Sequence, residues 1–314
     1  MAVAHPTAWP GLAVPEVDVH FPNPYRPMNI SHYLKEKQAL IDSALDNSLP
    51  PATTRPTTLH EAMRYCVLNG GKRIRPILCL ATAEAFGASG PDVTATALAV
   101  ELFHCSTLIH DDLPCMDNDD LRRGLPTCHI KFGEANAVLT GDALLIYAFQ
   151  VLAETGNAQL SQELARASGS QGVIAGQVED LAAEGKQPDA DLITFIHMNK
   201  TAILIQAAIR MGAIVGGASP EELEQLSTFG KKIGMAFQIE DDILDETATD
   251  DILGKPAGSD LELQKMTYPA VHGMKAACAE VEKLTAEAIA TLNTLPYETS
   301  ALREIAEYLI NRKF

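Results

Sequence analysis

Basic residues are scarce in this chain of 314 residues. It has 24 lysines and arginines against 41 aspartates and glutamates, so its formal net charge is −17. Such a charge balance argues against a nucleic-acid partner, because a surface this acidic repels a phosphate backbone. An acidic protein that binds a polyanion needs metal ions to reverse the local sign of the charge.

Paired cysteines are also missing. The six cysteines include no CxxC pair and no cysteine–histidine spacing suited to zinc. Most stand among apolar residues, which favours free, buried thiols in a reducing compartment. The N-terminus lacks the pattern of a secretory signal, and no apolar run reaches the length needed to span a bilayer. We therefore expect a cytoplasmic protein without stable membrane insertion.

Runs of alternating β-branched residues are absent, and this absence favours an all-α fold. From about residue 31, apolar residues recur at spacings of three and four, and glycine- or proline-containing breaks separate about ten predicted helices. Ser219 followed by Pro220 predicts the start of one of them. Residues 1–27 instead hold six prolines and the only tryptophan. The sequence thus predicts an extended or disordered arm over residues 1–30 and one all-helical domain over residues 31–314.

An aspartate-rich segment occurs twice in the chain. The first, HDDLPCMDNDD, begins at His110, and the second, QIEDDILD, begins at Gln238. In the second segment Asp241 and Asp245 share one helix face, where two carboxylates repel each other unless a cation lies between them. Hard oxygen ligands of this kind suit Mg²⁺. A solvated helix face is the alternative, but the duplication and the apolar flanks favour two walls of one metal–phosphate site.

A basic segment and several isolated polar residues accompany the acidic segments. The run NGGKRIRP begins at Asn69 and places two glycines ahead of three cations, a pattern typical of phosphate binding. His104 precedes Asp111 by two helical turns. Lys200 and Thr201 interrupt an apolar helix, where a buried ammonium needs a polar partner.

In this order the two acidic segments, the glycine-rich basic run, the arginine pair after the first acidic segment and the Lys-Thr pair resemble the trans-prenyltransferases. These are the short-chain isoprenyl diphosphate synthases that make farnesyl and geranylgeranyl diphosphate. The resemblance runs from about residue 31 to the C-terminus. The four residues between Asp112 and Asp117 are similar to the spacing of bacterial and plant members.

The resemblance implies a bundle around a central apolar cavity, a homodimer, and two diphosphate sites that bind isopentenyl diphosphate and an allylic diphosphate. Three aspartates are implied to hold three Mg²⁺ ions at the allylic diphosphate: Asp111, Asp117 and Asp241. Four cations are implied to clamp that diphosphate: Arg122, Lys200, Lys255 and Lys265. Isopentenyl diphosphate is implied to bind Lys72, Arg75, His104 and Arg123. Thr201 and Gln238 are implied to stabilise an allylic cation through their oxygens.

Product length is predicted from the helix that ends at Asp111. Ser106 and Thr107 lie about 6–8 Å below the metal site at 1.5 Å per residue. Members of this family that stop at fifteen carbons typically carry an aromatic residue at one of these positions, whereas both are small here. Phe103 is the next bulky residue, about one turn of 5.4 Å deeper. The predicted product is geranylgeranyl diphosphate, with farnesyl diphosphate as the alternative.

Two other functions share part of this pattern. A terpene cyclase also ionises an allylic diphosphate, but it has no use for a second diphosphate site. A non-catalytic regulatory subunit of a heteromeric synthase typically lacks one acidic segment, and both are complete here. Magnesium-dependent condensation of isopentenyl diphosphate with allylic diphosphates is therefore the predicted activity.

Overall fold

A computed structural model describes residues 28–247 and 265–311 of the chain. The secondary structure of these residues is α-helical apart from one short hairpin and one π-helical turn. The helices are α1 Ile30–Ser48, α2 Thr57–Leu68, α3 Ile74–Ala85, α4 Pro91–Asp111, α5 Cys128–Phe132, α6 Glu134–Glu154, α7 Ala158–Ser168, α8 Val173–Ala183, α9 Ala190–Ile196, α10 Ile203–Val215, α11 Pro220–Thr247, α12 Tyr268–His272, α13 Met274–Leu292 and α14 Ser300–Ile310. The predicted all-α bundle is confirmed.

Two helices carry the acidic segments. α4 begins with a proline at its first position and an acidic residue in its first turn, and it ends at Asp111 within the first segment. α11 begins at a reciprocal capping pair, since the Glu222 amide donates to the Ser219 hydroxyl and the Ser219 amide donates to the Glu222 carboxylate. The predicted helix start at Ser219 is thus confirmed, and α11 continues through Asp241 and Asp245.

The core lies along both sides of α4. α4 packs against α6, α3 and α10, and α11 packs against α13, α10 and the π-helical turn His197–Ala202. Phe103 of α4 and Phe229 of α11 are among the largest fully buried side chains. This packing fixes α4 and α11, and with them the two acidic segments, within the same bundle.

The hairpin was not predicted from the sequence. Its strands β1 (Leu121–Arg122) and β2 (Leu125–Pro126) pair antiparallel, and Arg123 and Gly124 form the turn with φ angles of 54° and 75°. Glycine adopts such left-handed angles without the steric cost that a side chain imposes. The hairpin places the arginine pair directly after the first acidic segment.

Within residues 28–247 and 265–311, three helical segments are long and apolar enough, by length and composition alone, to cross a bilayer: α4, α6 and the continuous stretch Ala190–Val215. The prediction that no apolar stretch reaches this length is therefore wrong. The most apolar window of α4 is 78% buried within the protein, whereas that of α6 is only 39% buried. Core packing accounts for the composition of α4, and α6 keeps an exposed apolar face.

The cysteines are all free thiols. Cys79, Cys105 and Cys128 are buried, and Cys115 and Cys278 are exposed. The prediction of free thiols is confirmed, but the predicted burial does not hold for the two exposed residues.

Candidate active site

The first acidic segment wraps back over the end of α4. The amide of Asp117 donates to the Asp111 carbonyl at 2.9 Å, and the Asp117 carboxylate lies close enough to raise the pKa of Asp111. Oδ2 of Asp117 lies 3.1 Å from Lys265 Nζ. Its other oxygen, Oδ1, is buried and has no hydrogen-bond partner among the described residues. A buried carboxylate oxygen without a donor fits a metal ligand, because leaving it unpaired is costly.

Charge is concentrated around Asp111. Burial raises the pKa of its carboxyl to about 6, an effect that Lys200 opposes and Asp117 increases. A cation at this position would favour the ionised form of both aspartates. The donor set therefore suits Mg²⁺, which prefers carboxylate and water oxygens.

Two adjacent aspartates of the second acidic segment, Asp241 and Asp242, have different surroundings on α11. Asp241 lies close enough to Arg75 for its charge to favour the guanidinium ion. Asp242 is buried and accepts hydrogen bonds from within the protein. Among the described residues, no three His, Cys, Asp or Glu side chains lie in a ready metal-ligand arrangement. The ligand set Asp111, Asp117 and Asp241 thus stays a prediction.

Lys200 lies on the π-helical turn between α9 and α10. Its Nζ is 2.5 Å from Oδ2 of Asp180 on α8. Burial disfavours the ammonium charge, but the carboxylates of Asp180 and Asp111 outweigh burial and raise the pKa of Lys200. The predicted need for a polar partner is confirmed. Asp180, which was not predicted as a site residue, is buried on α8. Gln177 and Glu179 lie close to it on the same helix, so the sequence carries no signal that singles it out.

Thr201 and Gln238 are in direct contact across two elements. The Thr201 hydroxyl on the π-helical turn donates to Oε1 of Gln238 on α11 at 2.6 Å. Gly176 of α8 packs tightly against this turn, since an added Cβ would lie 2.2 Å from the Lys200 amide nitrogen. π-Helical turns occur frequently at functional sites, and this one presents Lys200 and Thr201 together.

A second basic group lies at the start of α3. Nη1 of Arg75 is 3.2 Å from Nε2 of His104, and Nε of Arg75 is buried without a partner in the described part of the chain. Burial and the neighbouring Arg75 charge hold the pKa of His104 well below its usual value, so His104 is neutral and accepts from the guanidinium. Lys72 and Arg123 line a neighbouring cleft of about 490 Å³.

Arg73 differs from the two cations beside it. It adopts φ 53° and is buried, and its guanidinium bonds Glu101 at 2.6 Å, Asp42 at 2.8 Å and the Val67 carbonyl at 2.6 Å. All of these partners lie within the protein. Of the three cations in the glycine-rich run, Arg73 therefore joins α3 to α1, α2 and α4, whereas Arg75 contacts His104 and Lys72 lines the cleft.

The two arginines of the pair, Arg122 and Arg123, also bind different partners. Arg122 Nε donates to Asp112 at 2.7 Å, so the second aspartate of the first segment holds this arginine in place. Arg123 donates to Asn69 at 3.0 Å and to the Gly70 carbonyl, and its guanidinium atoms lie 2.7–2.9 Å from where a Cβ on Gly71 would be. The glycine run thus packs against an arginine side chain from the hairpin, and Gly71 also adopts φ 131°, a conformation that favours glycine.

The predicted product-length residues lie on the part of α4 that precedes Asp111. Ser106 is buried and donates to the Phe103 carbonyl at 2.7 Å, and Thr107 is half-buried and donates to the His104 carbonyl at 2.8 Å. Phe103 is buried in the core cluster along α4. Lys255 lies outside the described residues, as does the arm over residues 1–27.

Comparison with known proteins identifies the class of this chain. The profile of the polyprenyl synthetase family matches residues 56–308, so the chain belongs to this family and is a prenyltransferase.

Among curated relatives, the chain is 47% identical over 268 residues to "Heterodimeric geranylgeranyl pyrophosphate synthase large subunit 1, chloroplastic" from Arabidopsis thaliana, covering 82% of this chain and 72% of the relative. It is 43% identical over 295 residues to "Geranylgeranyl pyrophosphate synthase, chloroplastic" from Capsicum annuum, covering 91% and 79%.

Solved structures show the same fold. An FPP/GFPP synthase from Zymomonas mobilis matches with a TM-score of 0.80 and 37% identity, covering 91% of this chain and 100% of that chain. A geranyltransferase from Helicobacter pylori, solved with magnesium and isoprenyl diphosphate, matches with a TM-score of 0.79 and 34% identity, covering 92% and 98%.

Proposed function

We propose that this prenyltransferase condenses isopentenyl diphosphate with allylic diphosphates and releases geranylgeranyl diphosphate. The observation that carries the product length is the pair of small side chains, Ser106 and Thr107, on the last two turns of α4 before Asp111. The relatives named geranylgeranyl pyrophosphate synthase, at 43–47% identity, support the same product.

The allylic diphosphate is proposed to bind between α4 and α11. Asp111, Asp117 and Asp241 would hold Mg²⁺, as three ions, and bound Mg²⁺ would neutralise the charge that the diphosphate gains when its C–O bond breaks. The buried, partnerless Oδ1 of Asp117 supports this ligand role, and the Helicobacter pylori structure contains magnesium. Four cations would clamp the same diphosphate: Arg122, Lys200, Lys255 and Lys265.

Isopentenyl diphosphate is proposed to bind at the start of α3. Arg75 carries a buried N–H without a partner in the described residues, and a phosphate oxygen is an acceptor suited to it. Lys72 and Arg123 line the cleft beside it, and His104 fixes the orientation of the Arg75 guanidinium. This arrangement would hold the double bond of the second substrate at a fixed place near the ionising carbon.

Thr201 and Gln238 are proposed to face the allylic cation. Their oxygens lie 2.6 Å apart on neighbouring elements, so one carbocation can interact with both. Preoriented dipoles of this kind stabilise a charge that develops in the transition state without reorganisation of solvent.

Purified protein incubated with Mg²⁺, isopentenyl diphosphate and each allylic starter would test the function. We expect turnover by the chain alone and a main product of twenty carbons. A main product of fifteen carbons would establish the alternative, farnesyl diphosphate synthesis, in which a side chain from another helix closes the cavity. Turnover only after addition of a second protein would instead support a regulatory subunit.

We further propose a homodimer that forms through α6. Among the described residues, three of the nine exposed large apolar side chains lie on this helix, and two of them, Leu139 and Ile146, seven positions apart, are 57% and 63% exposed. Two turns separate these side chains, so they lie on nearly one face. An exposed apolar face of this kind marks a protein interface.

The remaining proposals concern the arm and the compartment. We propose that residues 1–27 are dispensable for chemistry; the family match begins at residue 56 and α1 begins at Ile30. Removal of the first 27 residues should leave turnover within a few-fold. The free thiols support a reducing compartment, for which we propose the cytoplasm, and fractionation of the source cells would test this, since the curated plant relatives are named chloroplastic.

A further inference from the structure

Asp242 differs from the other aspartates of the second segment in its surroundings. Its Oδ1 accepts from Nε2 of Gln238 at 2.9 Å, and its Oδ2 accepts from the Tyr268 amide at 2.7 Å and lies 3.1 Å from Nε2 of His197. The Asp242 side chain is only 4% exposed. Both carboxylate oxygens are therefore occupied by groups of the protein itself.

These contacts determine which way the amide of Gln238 points. A carboxylate has no proton to donate, so the atom of Gln238 that faces Asp242 must be the amide nitrogen. The carbonyl oxygen then faces Thr201, at 2.6 Å, and it can only accept. The hydroxyl of Thr201 must consequently give its single proton to Gln238.

This polarity matters for the charge that the reaction creates. With its proton committed to Gln238, Thr201 can present only lone pairs to a neighbouring carbon. If the amide were reversed, Gln238 would donate to Thr201, engage one of its lone pairs, and present N–H groups instead of its carbonyl oxygen on the side of the allylic cation. A positive dipole end directed at a cation raises the barrier that an oxygen in the same place would lower.

His197 closes the arrangement on the other side. His197 and Thr201 lie four positions apart on the π-helical turn, and Gln238 and Asp242 lie four positions apart on α11. The two pairs therefore face each other across one interface, and His197 contacts the outer oxygen of Asp242. The second ring nitrogen of His197, Nδ1, is buried and has no hydrogen bond within the described residues.

We propose that Asp242 is a positioning residue: it sets the amide of Gln238, and through it the hydroxyl of Thr201, so that both oxygens present lone pairs to the allylic cation, with His197 as the outer anchor. The inference rests on the proposed function, in which Gln238 and Thr201 lie beside the allylic cation. It explains how the protein fixes the orientation of these two side chains. It also separates Asp242 from the metal-binding role proposed for its neighbour Asp241.

Exchange of the two side chains is the sharpest test. Asp242→Asn offers Gln238 a donor as well as an acceptor, so the amide can reverse. We expect kcat to fall roughly 100-fold, as when a preoriented dipole is lost, with both Michaelis constants within about three-fold of wild type. Gln238→Glu alone should also lower kcat, since two carboxylates would then face each other.

The double variant Asp242→Asn/Gln238→Glu restores the direction of the hydrogen bonds and moves the negative charge from position 242 to position 238. The introduced asparagine would donate to the introduced glutamate, and that glutamate would again accept from Thr201. We expect kcat to recover at least about ten-fold relative to Asp242→Asn, a coupling that independent sites do not show. No recovery, or an Asp242→Asn variant with unchanged kcat and a raised requirement for metal, would overturn the proposal.

A milder pair of variants covers the case in which the Asp242 variants do not fold. His197→Gln keeps an N–H donor and should retain kcat within about three-fold, whereas His197→Leu should lower kcat about ten-fold at unchanged Michaelis constants. Equal kcat in wild type and His197→Leu would overturn the proposal. Absence of turnover in the wild type would instead refute the proposed function, and with it the premise of the inference.

Discussion

At the scale of single residues, the positions that carry charge were predictable, and the family resemblance assigned Lys72 and Arg75, but not Arg73, to a substrate; the structural role of Arg73 was not predictable. Lys72, Arg73 and Arg75 stand within four positions and are equivalent in the sequence. The left-handed backbone at Arg73 turns one of them into the core, where it meets Glu101. That outcome depends on residues from three other helices, so neither spacing nor residue type could indicate it.

Replacement of Arg73 and Arg75 should therefore have different effects. Arg73→Ala leaves the buried Glu101 carboxylate without its cation, and we expect a loss of about 3–5 kcal/mol in the free energy of unfolding. Arg75→Ala should instead raise the Michaelis constant for isopentenyl diphosphate, because one charge-assisted contact contributes roughly 1.5–3 kcal/mol. Denaturant unfolding and steady-state kinetics on both variants would distinguish the roles. A rise in the allylic Michaelis constant alone would show that the two diphosphate sites are reversed.

The product-length prediction also belongs to single residues. Ser106→Tyr places a ring one turn above Phe103, so the main product should shorten to farnesyl diphosphate. Phe103→Ala should lengthen the product, although it removes a core side chain and costs about 3–5 kcal/mol of stability. Products resolved by chain length would check both. If Ser106→Tyr leaves the product unchanged, the floor of the cavity lies on another helix.

At the scale of elements, helix ends were predictable and irregular turns were not. The proline and acidic residue at the start of α4, the capping pair at Ser219 and the glycine that follows α10 are local signals. The hairpin around Gly124 and the π-helical turn at Lys200 have no comparable pattern. The turn packs against Gly176 from α8, a tertiary contact that the sequence of the turn does not contain.

Gly176→Ala should disturb this turn without changing any chemical group. Its Cβ would lie 2.2 Å from the Lys200 amide nitrogen, so the turn or α8 must move. A displacement of about 1 Å at the reacting groups can cost roughly 100-fold in rate, and we expect kcat to fall on that scale. Ala175→Gly is the matched control on the same helix, with a helix-propensity cost of about 1 kcal/mol and no clash. Equal kcat in the two variants would show that the turn tolerates the shift.

At the scale of the whole molecule, the all-α fold and the family followed from pattern and motif order. The exposed face of α6 could not be predicted from the sequence. An apolar helix has the same sequence pattern whether it packs into the core of its own chain or against a partner protein. Only the structure distinguishes the buried α4 from the exposed α6. The homodimer itself therefore stays a prediction.

Charge on the apolar face of α6 should break this dimer. The double variant Leu139→Lys/Ile146→Lys places two ammonium groups on side chains that are more than half exposed, so the monomer fold should survive. We expect sedimentation velocity to show a dimer for the wild type and a monomer for this variant. Glu154→Lys, an exposed change at the end of the same helix, should stay dimeric. A monomeric wild type, or a dimer that withstands both lysines, would place the interface elsewhere or exclude it.

The central claim is that two acidic segments, on α4 and α11, form one metal–diphosphate site. Anomalous diffraction from a crystal grown with Mn²⁺ and an unreactive allylic thiolodiphosphate tests it most directly. We predict three manganese peaks, ligated by Asp111 and Asp117 on one side of the diphosphate and by Asp241 on the other. Peaks at only one acidic segment, or a diphosphate bound away from both, would contradict the account.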